Sequence, residues 1–210
     1  MTTAIIGTGR IGSAIARLLA SGGETLRLSS ASQSARTLAA EIGRAAVVAV
    51  DNRDALQGAD AVVLALRFGV LKGVIEEITD LLNDKLVVVP SNPVSLDADG
   101  KVVRVLPAGQ SSGEVVAEWL PAGARLVMAF GTMSAPLFES SSNRSPELAV
   151  LFYATDDDRA DEEVGRLIRK AGFEPVKVGG LNQSGRLEVG GDLHDRVVGP
   201  AEARTLIGAA

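Results

Sequence analysis

Three glycines near the start of the chain constrain the fold most strongly. Gly7, Gly9 and Gly12 form the pattern G-x-G-x-x-G at the point where the apolar residues change from strand spacing to helical spacing. Residues 3–6 are strand-like, and from residue 10 to residue 20 apolar side chains recur at helical spacing. In such a turn the first glycine permits a tight bend, the second lets a pyrophosphate approach the backbone, and the third lets helix and strand pack closely. The pattern therefore predicts a dinucleotide-binding turn with helix N-terminal amides as donors. A glycine-rich turn that binds no ligand is the alternative.

Strand-like and helix-like segments alternate along the first 130 residues. The predicted strands are 3–6, 26–29, 47–50, 61–66, 86–89 and 125–130, and the predicted helices are 10–20, 34–42, 70–82 and a short one ending at Trp119. Ser111 and Glu114 form a capping-box pattern that opens the short helix. Continuous apolar strands imply that both faces of the sheet are covered. We therefore expect an α/β fold with a doubly wound, mostly parallel Rossmann sheet.

The last third of the chain predicts a small C-terminal extension of this sheet. A polar, serine-rich stretch at 139–146 ends in Pro146 and predicts an exposed loop. Beyond it we expect strands at 148–154 and 175–178, a helix at 162–171 capped by Gly172, and a glycine-rich tail from residue 179. This divides the chain into a dinucleotide-binding domain, 1–138, and a smaller portion, 139–210, that completes the cleft.

Composition excludes several classes of function. The 210 residues include 26 acidic and 21 basic side chains, so a net charge of -5 favours neither nucleic acid nor an anionic membrane as a partner. No cysteine and a single histidine argue against thiolate chemistry and most zinc sites, so we expect no metal. No apolar run approaches a membrane span of about 20 residues. We expect a cytoplasmic protein that binds small molecules, with a homodimer as a candidate assembly.

The residues after the second strand predict which dinucleotide is bound. An NAD site usually places a carboxylate here for the ribose 2′-hydroxyl, but residues 28–33 read LSSASQ. Hydroxyls of Ser29, Ser30 and Ser32, aided by Arg27 or Arg36, could donate to a 2′-phosphate, which favours NADP(H). Alternatively, the serines only cap the helix predicted to begin at residue 34.

Six segments together resemble a known family, the small reductases that pass hydride between NADP and the deazaflavin coenzyme F-420. The segments are 6–12 (IGTGRIG), 63–68 (VLALRF), 90–95 (PSNPVS), 130–135 (FGTMSA), 154–158 (ATDDD) and 178–187 (VGGLNQSGRL). Their order and spacing cover almost the whole chain. The resemblance implies a Rossmann fold, NADP(H) as cofactor and coenzyme F-420 as a candidate co-substrate.

The resemblance also implies roles for individual residues. Thr8, Gly9, Arg10 and Ile11 would line the pyrophosphate, and Ser30 would face the 2′-phosphate. The residues implied around the ribose and nicotinamide are Leu66, Val70, Asn92, Ala135 and Leu181. Most of these end strands, where ligands bind in open α/β sheets.

The chain departs from the family in three places that bear on its ligands, and one of them is Gly179-Gly180-Leu181, where the family often has Gly-Pro-Leu. The family commonly has Ser-Arg where this chain has Ser30 and Ala31, so a main cation for the 2′-phosphate is missing. It often has Pro before an aromatic where this chain has Arg67 and Phe68. Arg67 follows a core strand at the ligand edge, so we interpret it either as an anion clamp or as a solvated loop residue.

Other polar candidates have ordinary structural explanations. His194 lies between acidic residues, but we expect a solvated surface histidine rather than a catalytic one. The run Asp156, Asp157, Asp158 precedes a predicted helix, so N-capping is favoured over metal binding. We expect no catalytic side chain, and we interpret Met133 as pocket wall or core.

The sequence supports one principal function and two alternatives. The first is an oxidoreductase that transfers hydride between NADP(H) and a deazaflavin or flavin-like acceptor. The second is an NADPH-dependent reductase of a small carbonyl or imine compound, which needs a proton donor near the nicotinamide. The third is a non-catalytic NADP(H)-sensing module with a protein partner.

Overall fold

A computed structural model of the chain describes residues 1–208. Its strands are β1 (Thr2–Ile6), β2 (Thr25–Ser29), β3 (Ala46–Val48), β4 (Ala61–Leu64), β5 (Leu86–Val89), β6 (Val94–Leu96), β7 (Val102–Arg104), β8 (Arg125–Ala129), β9 (Val150–Ala154) and β10 (Glu174–Gly179). Its helices are α1 (Arg10–Ser21), α2 (Ser34–Ile42), α3 (Asn52–Ala55), α4 (Phe68–Ile78), α5 (Ser112–Ala117), α6 (Ala135–Ser141), α7 (Arg159–Lys170) and α8 (Pro200–Gly208), with a 3₁₀ segment at Leu181–Leu187.

Eight of these strands form one sheet in the order β3-β2-β1-β4-β5-β8-β9-β10. The first six are parallel, β9 runs antiparallel to β8, and β10 is parallel to β9. The connections leave β1 and β4 in opposite directions, so a crevice opens between the carboxyl ends of these two strands. The predicted doubly wound, mostly parallel α/β fold is confirmed.

Two buried layers cover the faces of the sheet, because successive strand residues point to opposite sides. Ile5 and Val88 lie in the layer with Leu19 of α1 and Leu167 of α7. Ile6 and Val89 lie in the other layer, with Leu71 of α4, Val116 of α5 and Ala203 of α8. Burial on both faces explains why the central strands are continuous apolar runs.

The prediction of a loop over residues 139–146 is wrong for Glu139 to Ser141, because these residues form the last turn of α6. Pro136 suits the first turn of a helix, and Phe138 is fully buried between the rings of Phe130 and Phe173. Aromatic packing thus holds a helix in a segment whose serines favour a loop. The residues after 138 then supply β9 and β10 to the same sheet.

Other element boundaries differ from the predictions by a few residues. Helix α7 begins at Arg159 rather than at residue 162, and the Asp157 carboxylate accepts a hydrogen bond from the Arg159 amide at 2.9 Å. The sequence pattern does not predict the hairpin β6–β7, because each of its strands has only three residues. Its turn is held by Asp97, whose carboxylate accepts from the amides of Asp99 and Lys101.

A buried carboxylate ties helix α7 to the amino-terminal edge of the sheet. Glu24 is 1% exposed and accepts hydrogen bonds from Thr3 at 2.8 Å, Arg166 at 2.8 Å and Lys170 at 2.7 Å. Burial alone would raise the pKa of Glu24, but the hydrogen bonds from Arg166, Lys170 and Thr3 outweigh it and lower the pKa. The charged form therefore stabilises the fold.

We expect Glu24→Gln to lower the free energy of unfolding at pH 7 by about 3 kcal/mol, since two cations lose their buried partner. Because the pKa of Glu24 is lowered on folding, this difference is complete above the ordinary glutamate pKa of about 4.3 and shrinks as the pH falls through the lowered value. Urea denaturation across this pH range measures it. The control is Glu41→Gln, which breaks an exposed pair with Arg17 and should have a much smaller effect. Equal losses in the two variants would contradict the account.

Candidate functional site

The glycine turn lies between β1 and α1, at the crevice where the sheet order reverses. Gly7 has a φ of 95°, a left-handed backbone that favours glycine. A Cβ on Gly12 would overlap the carbonyl oxygen of Gly7, and a Cβ on Gly7 would overlap that of Ala65 after β4. A Cβ on Gly9 would meet no atom within 4 Å. The first and third glycines are thus needed for packing, while the second borders open space.

A cavity of about 310 Å³ opens directly above this turn. Its lining combines the start of α1, the loop after β4 and the loop after β5, and consists of Gly9, Arg10, Ile11, Ala65, Leu66, Arg67, Phe68, Pro90, Ser91, Asn92 and Val94. Helix α1 has no acidic residue in its first turn, so its free amides keep their positive partial charge. The cavity therefore suits an anionic ligand with an apolar portion.

Hydroxyl groups cluster where β2 meets the start of α2. The Ser34 hydroxyl contacts the hydroxyls of Thr8 at 2.5 Å, Ser32 at 2.7 Å and Ser30 at 3.1 Å. The Ser32 hydroxyl also accepts from the Ser34 amide at 3.3 Å, but the N-cap residue of α2 is Gln33 and no side chain of residues 1–208 caps the helix. Thr8 thereby links the glycine turn to the serine loop, a contact that the sequence pattern did not predict.

Beside these hydroxyls lies a second cavity, of about 520 Å³. Ser30, Ala31, Ser32, Gln33, Ala35 and Arg36 line one side, and Val48, Ala49 and Val50 line the other. Arg36 makes no ion pair among residues 1–208, whereas the Arg27 guanidinium is bound to Asp54 at 2.8 Å. Ser29 is buried and donates to Asn52 at 2.7 Å, so it lies apart from the hydroxyl cluster. Of the two predicted cations, only Arg36 reaches this cavity.

Loops at the carboxyl ends of β5 and β8 are held together by Asn92. Its side chain donates to the Gly131 carbonyl at 2.9 Å and accepts from the Val189 amide at 2.7 Å. The Ser91 hydroxyl donates to the Leu66 carbonyl at 2.6 Å, which fixes the end of β4. These bonds position the walls of the cavity above the glycine turn.

Three of the predicted ribose and nicotinamide residues do not line that cavity. Val70 is exposed on α4, one turn beyond Arg67, and Ala135 is the first residue of α6. Leu181 is buried and lines a separate cavity with the 156–159 segment. The structure thus brings together Gly9, Arg10, Ile11, Leu66, Arg67 and Asn92.

A small recess adjoins the cavity and shares Pro90, Ser91 and Asn92 with it. The hydroxyls of Ser112 and Thr132 are buried there without a hydrogen-bond partner in the described chain. The recess has about 20 Å³ of space, which is close to what one water molecule needs.

The expectation of a solvated His194 is wrong. Its side chain is 17% exposed and its Nδ1 lies 3.3 Å from an Asp195 carboxylate oxygen. The Asp195 amide donates to the Thr132 carbonyl at 2.7 Å, and its carboxylate accepts from the Ser134 amide at 3.3 Å. The chain after the 3₁₀ segment folds back onto the loop following β8, which places His194 beside that loop.

The site can be compared with those of known proteins. Residues 2–93 match the model of a family described as NADP oxidoreductase, coenzyme F420-dependent. A hypothetical protein from Sinorhizobium meliloti is 29% identical, with a TM-score of 0.83 over 95% of each chain. A proposed F420-dependent NADP-reductase from Arthrobacter sp. FB24 is 20% identical, with a TM-score of 0.72 over 87% of this chain and 86% of that one.

A third similar structure is an imine reductase from Myxococcus stipitatus in complex with NADP⁺. It is 18% identical, with a TM-score of 0.66 over 100% of this chain, which spans 63% of that longer chain. At this identity the similarity shows the fold alone. No helix within residues 1–208 is long and apolar enough to cross a membrane.

We expect Gly12→Ala to lower the free energy of unfolding by about 3 kcal/mol or more, because the new methyl group overlaps a backbone carbonyl that cannot move freely. Gly9→Ala is the matched variant, and it should fold with nearly the parent stability. Chemical denaturation of both proteins measures the difference. Equal stability of the two variants would show that α1 does not pack on the turn as described.

Proposed function

Because the chain belongs, through residues 2–93, to the family of coenzyme F420-dependent NADP oxidoreductases, we propose that it transfers hydride between NADP(H) and a deazaflavin or flavin-like acceptor. The coarser statement, an NADP-dependent oxidoreductase, follows from the family. We further propose that residues 1–138 form the dinucleotide-binding domain and that residues 139–210 complete the cleft.

The observation that carries the proposal is the open space at Gly9, directly in front of the first amides of α1. Thr8, Gly9, Arg10 and Ile11 would hold the pyrophosphate there, since helix N-terminal amides and a guanidinium favour negative charge. Gly7 and Gly12 serve the packing that brings these amides to the ligand.

The serine loop supports NADP(H) over NAD(H). The hydroxyls of Ser30 and Ser32, together with Arg36, would donate to the 2′-phosphate, and no carboxylate lines this cavity. Ser29 would support the loop through its bond to Asn52. Val48 and Val50 form an exposed apolar wall opposite, which suits the flat face of an adenine ring.

The carboxyl ends of β4, β5 and β8 would hold the nicotinamide and the acceptor. When bound, NADP(H) supplies the hydride, and the protein's part is to hold two rings in contact while excluding water. Leu66 and Asn92 would border the ribose, with Val70 and Ala135 farther out, whereas Leu181 lies in the separate cavity beside the 156–159 segment. Such a transfer needs positioning more than an acid or a base.

One observation favours a second candidate, the NADPH-dependent reductase of a small imine or carbonyl compound. The largely buried His194, held by Asp195 beside the loop after β8, is a group that could donate a proton. The alternative therefore differs from the first proposal in what His194 does.

The proposal includes a cellular setting and an assembly for the protein. Absence of cysteine supports a reducing, cytoplasmic setting. A homodimer is the assembly that we propose.

The direct test is an acceptor screen in which the protein is mixed with NADPH and, separately, coenzyme F-420, FMN, a cyclic imine and a small ketone. Oxidation of NADPH, followed by absorbance, should depend on the deazaflavin or flavin. Turnover of the imine or ketone alone would overturn the first proposal in favour of the second.

We expect a modest preference for NADPH over NADH, because serine hydroxyls and one guanidinium lack a bidentate grip on the 2′-phosphate. Ala31→Arg should raise the ratio of dissociation constants about tenfold, and Arg36→Gln should lower it, since a hydrogen bond to a charged group contributes about 1.5–3 kcal/mol. Calorimetry with both nucleotides measures the ratio. Tighter binding of NADH by the parent would count against the 2′-phosphate site.

His194→Ala should leave turnover with a deazaflavin within about tenfold of the parent, as no side-chain acid is required for a ring-to-ring transfer. Ala135→Leu should reduce turnover about a hundredfold if it displaces the rings by about 1 Å. Steady-state rates at saturating NADPH give both values. A loss above about a thousandfold in a folded His194→Ala protein that still binds NADPH would indicate general acid catalysis.

A further inference from the structure

Two arginines line the cavity above the glycine turn, one from the start of α1 and one from the loop after β4. Arg10 begins α1, and Arg67 immediately precedes α4. Neither forms an ion pair anywhere in residues 1–208, and no carboxylate lines the cavity. Several arginines elsewhere in the chain are bound to acids, as Arg17 is to Glu41 and Arg53 is to Asp80. The cavity thus concentrates positive charge in a protein of net charge -5.

The cofactor's pyrophosphate would need only one of these cations. It lies, in the proposed function, against the first turn of α1, where Arg10 is located. Arg67 belongs to the loop after β4, and the backbone just before it is held because the Ser91 hydroxyl donates to the Leu66 carbonyl at 2.6 Å. Arg67 is therefore available to a second anion.

An apolar surface continues outward from the same cavity. Val94 lines the cavity, and Leu96 shares its face of the hairpin, with Val102 directly opposite Leu96 and Arg104 directly opposite Val94. Leu96 is 68% exposed and Val102 is 51% exposed. The hairpin is held down by the ion pair between Arg104 and the buried Glu188. A two-stranded hairpin is marginal alone, so this anchor gives the apolar face a defined place beside the cleft.

We propose that Arg67 binds a phosphate or carboxylate substituent of the second substrate, while the ring of that substrate packs toward the Val94 and Leu96 face. This inference rests on the proposed function, since it assumes that the cofactor fills the α1 side. It defines the second substrate as a planar ring compound that carries an anionic group. Arg67 is then a specificity-determining residue that leaves cofactor binding largely unchanged.

The test uses two acceptor rings that differ only in the anion, 5-deaza-FMN and 5-deazariboflavin. Each is titrated by fluorescence into protein saturated with NADP⁺, so that no turnover occurs. The parent should bind the phosphate-bearing ring about tenfold more tightly at low salt, as expected for a charge-assisted hydrogen bond. Arg67→Gln should abolish this difference and change the Kd of NADPH less than about threefold, whereas Arg67→Lys should keep part of it.

Arg44→Gln is the control for the change of net charge, because Arg44 is exposed, precedes β3 and makes no ion pair within residues 1–208. It should retain the parent's preference. Equal affinity of the parent for the two rings would overturn the inference while leaving the proposed function intact. Weaker NADPH binding by Arg67→Gln, with the ring preference unchanged, would assign Arg67 to the pyrophosphate instead. Binding of neither ring, with NADPH still bound, would contradict both the inference and the deazaflavin acceptor.

Discussion

The close approach of α1 to β1 and β4 is the contact on which the site depends. Gly12 lies against the Gly7 carbonyl, and Gly7 lies against the Ala65 carbonyl, so neither position has room for a side chain. Because the helix begins this close to the sheet, its first amides face the crevice where the strand order reverses. The 310 Å³ cavity, its two arginines and the loop after β5 are all arranged around that helix end.

A buried ion cluster holds the amino-terminal edge of the sheet, opposite the edge where the site lies. The buried Glu24, in the turn between α1 and β2, binds Arg166 and Lys170 of α7 and so joins the β1–α1–β2 unit to that helix. Burial alone would raise the pKa of Glu24 and favour the neutral acid, whereas hydrogen bonds from Arg166 and Lys170 lower the pKa and keep the carboxylate charged. Loops at the opposite edge, held by Asn92 and Ser91, can then be specialised for ligands without weakening the core.

Much of the fold could be predicted because its signals are local. The strand and helix on either side of the glycine turn, the apolar runs of β4 and β5 and the capping box at Ser111 each depend on residues close in sequence, and each is confirmed. Elements that depend on distant contacts could not be predicted. Helix α6 needs Phe138 to pack on Phe173, the hairpin needs Arg104 to reach Glu188, and the burial of His194 needs the tail to fold back on Thr132. Within the site, the hydroxyl contact of Thr8 with Ser34 and the binding of Arg27 by Asp54 are equally nonlocal.

The central claim is that a dinucleotide pyrophosphate lies in the open space at Gly9, and calorimetric titration of Gly9→Asp with NADPH tests it most directly. A carboxylate there would fill the space and repel the phosphates, so we expect binding to weaken at least about a hundredfold, or about 2.7 kcal/mol. Gly73→Asp adds the same charge where a Cβ also meets no atom within 4 Å, on α4, and should bind NADPH like the parent. A folded Gly9→Asp protein that binds NADPH as tightly as the parent would contradict the account.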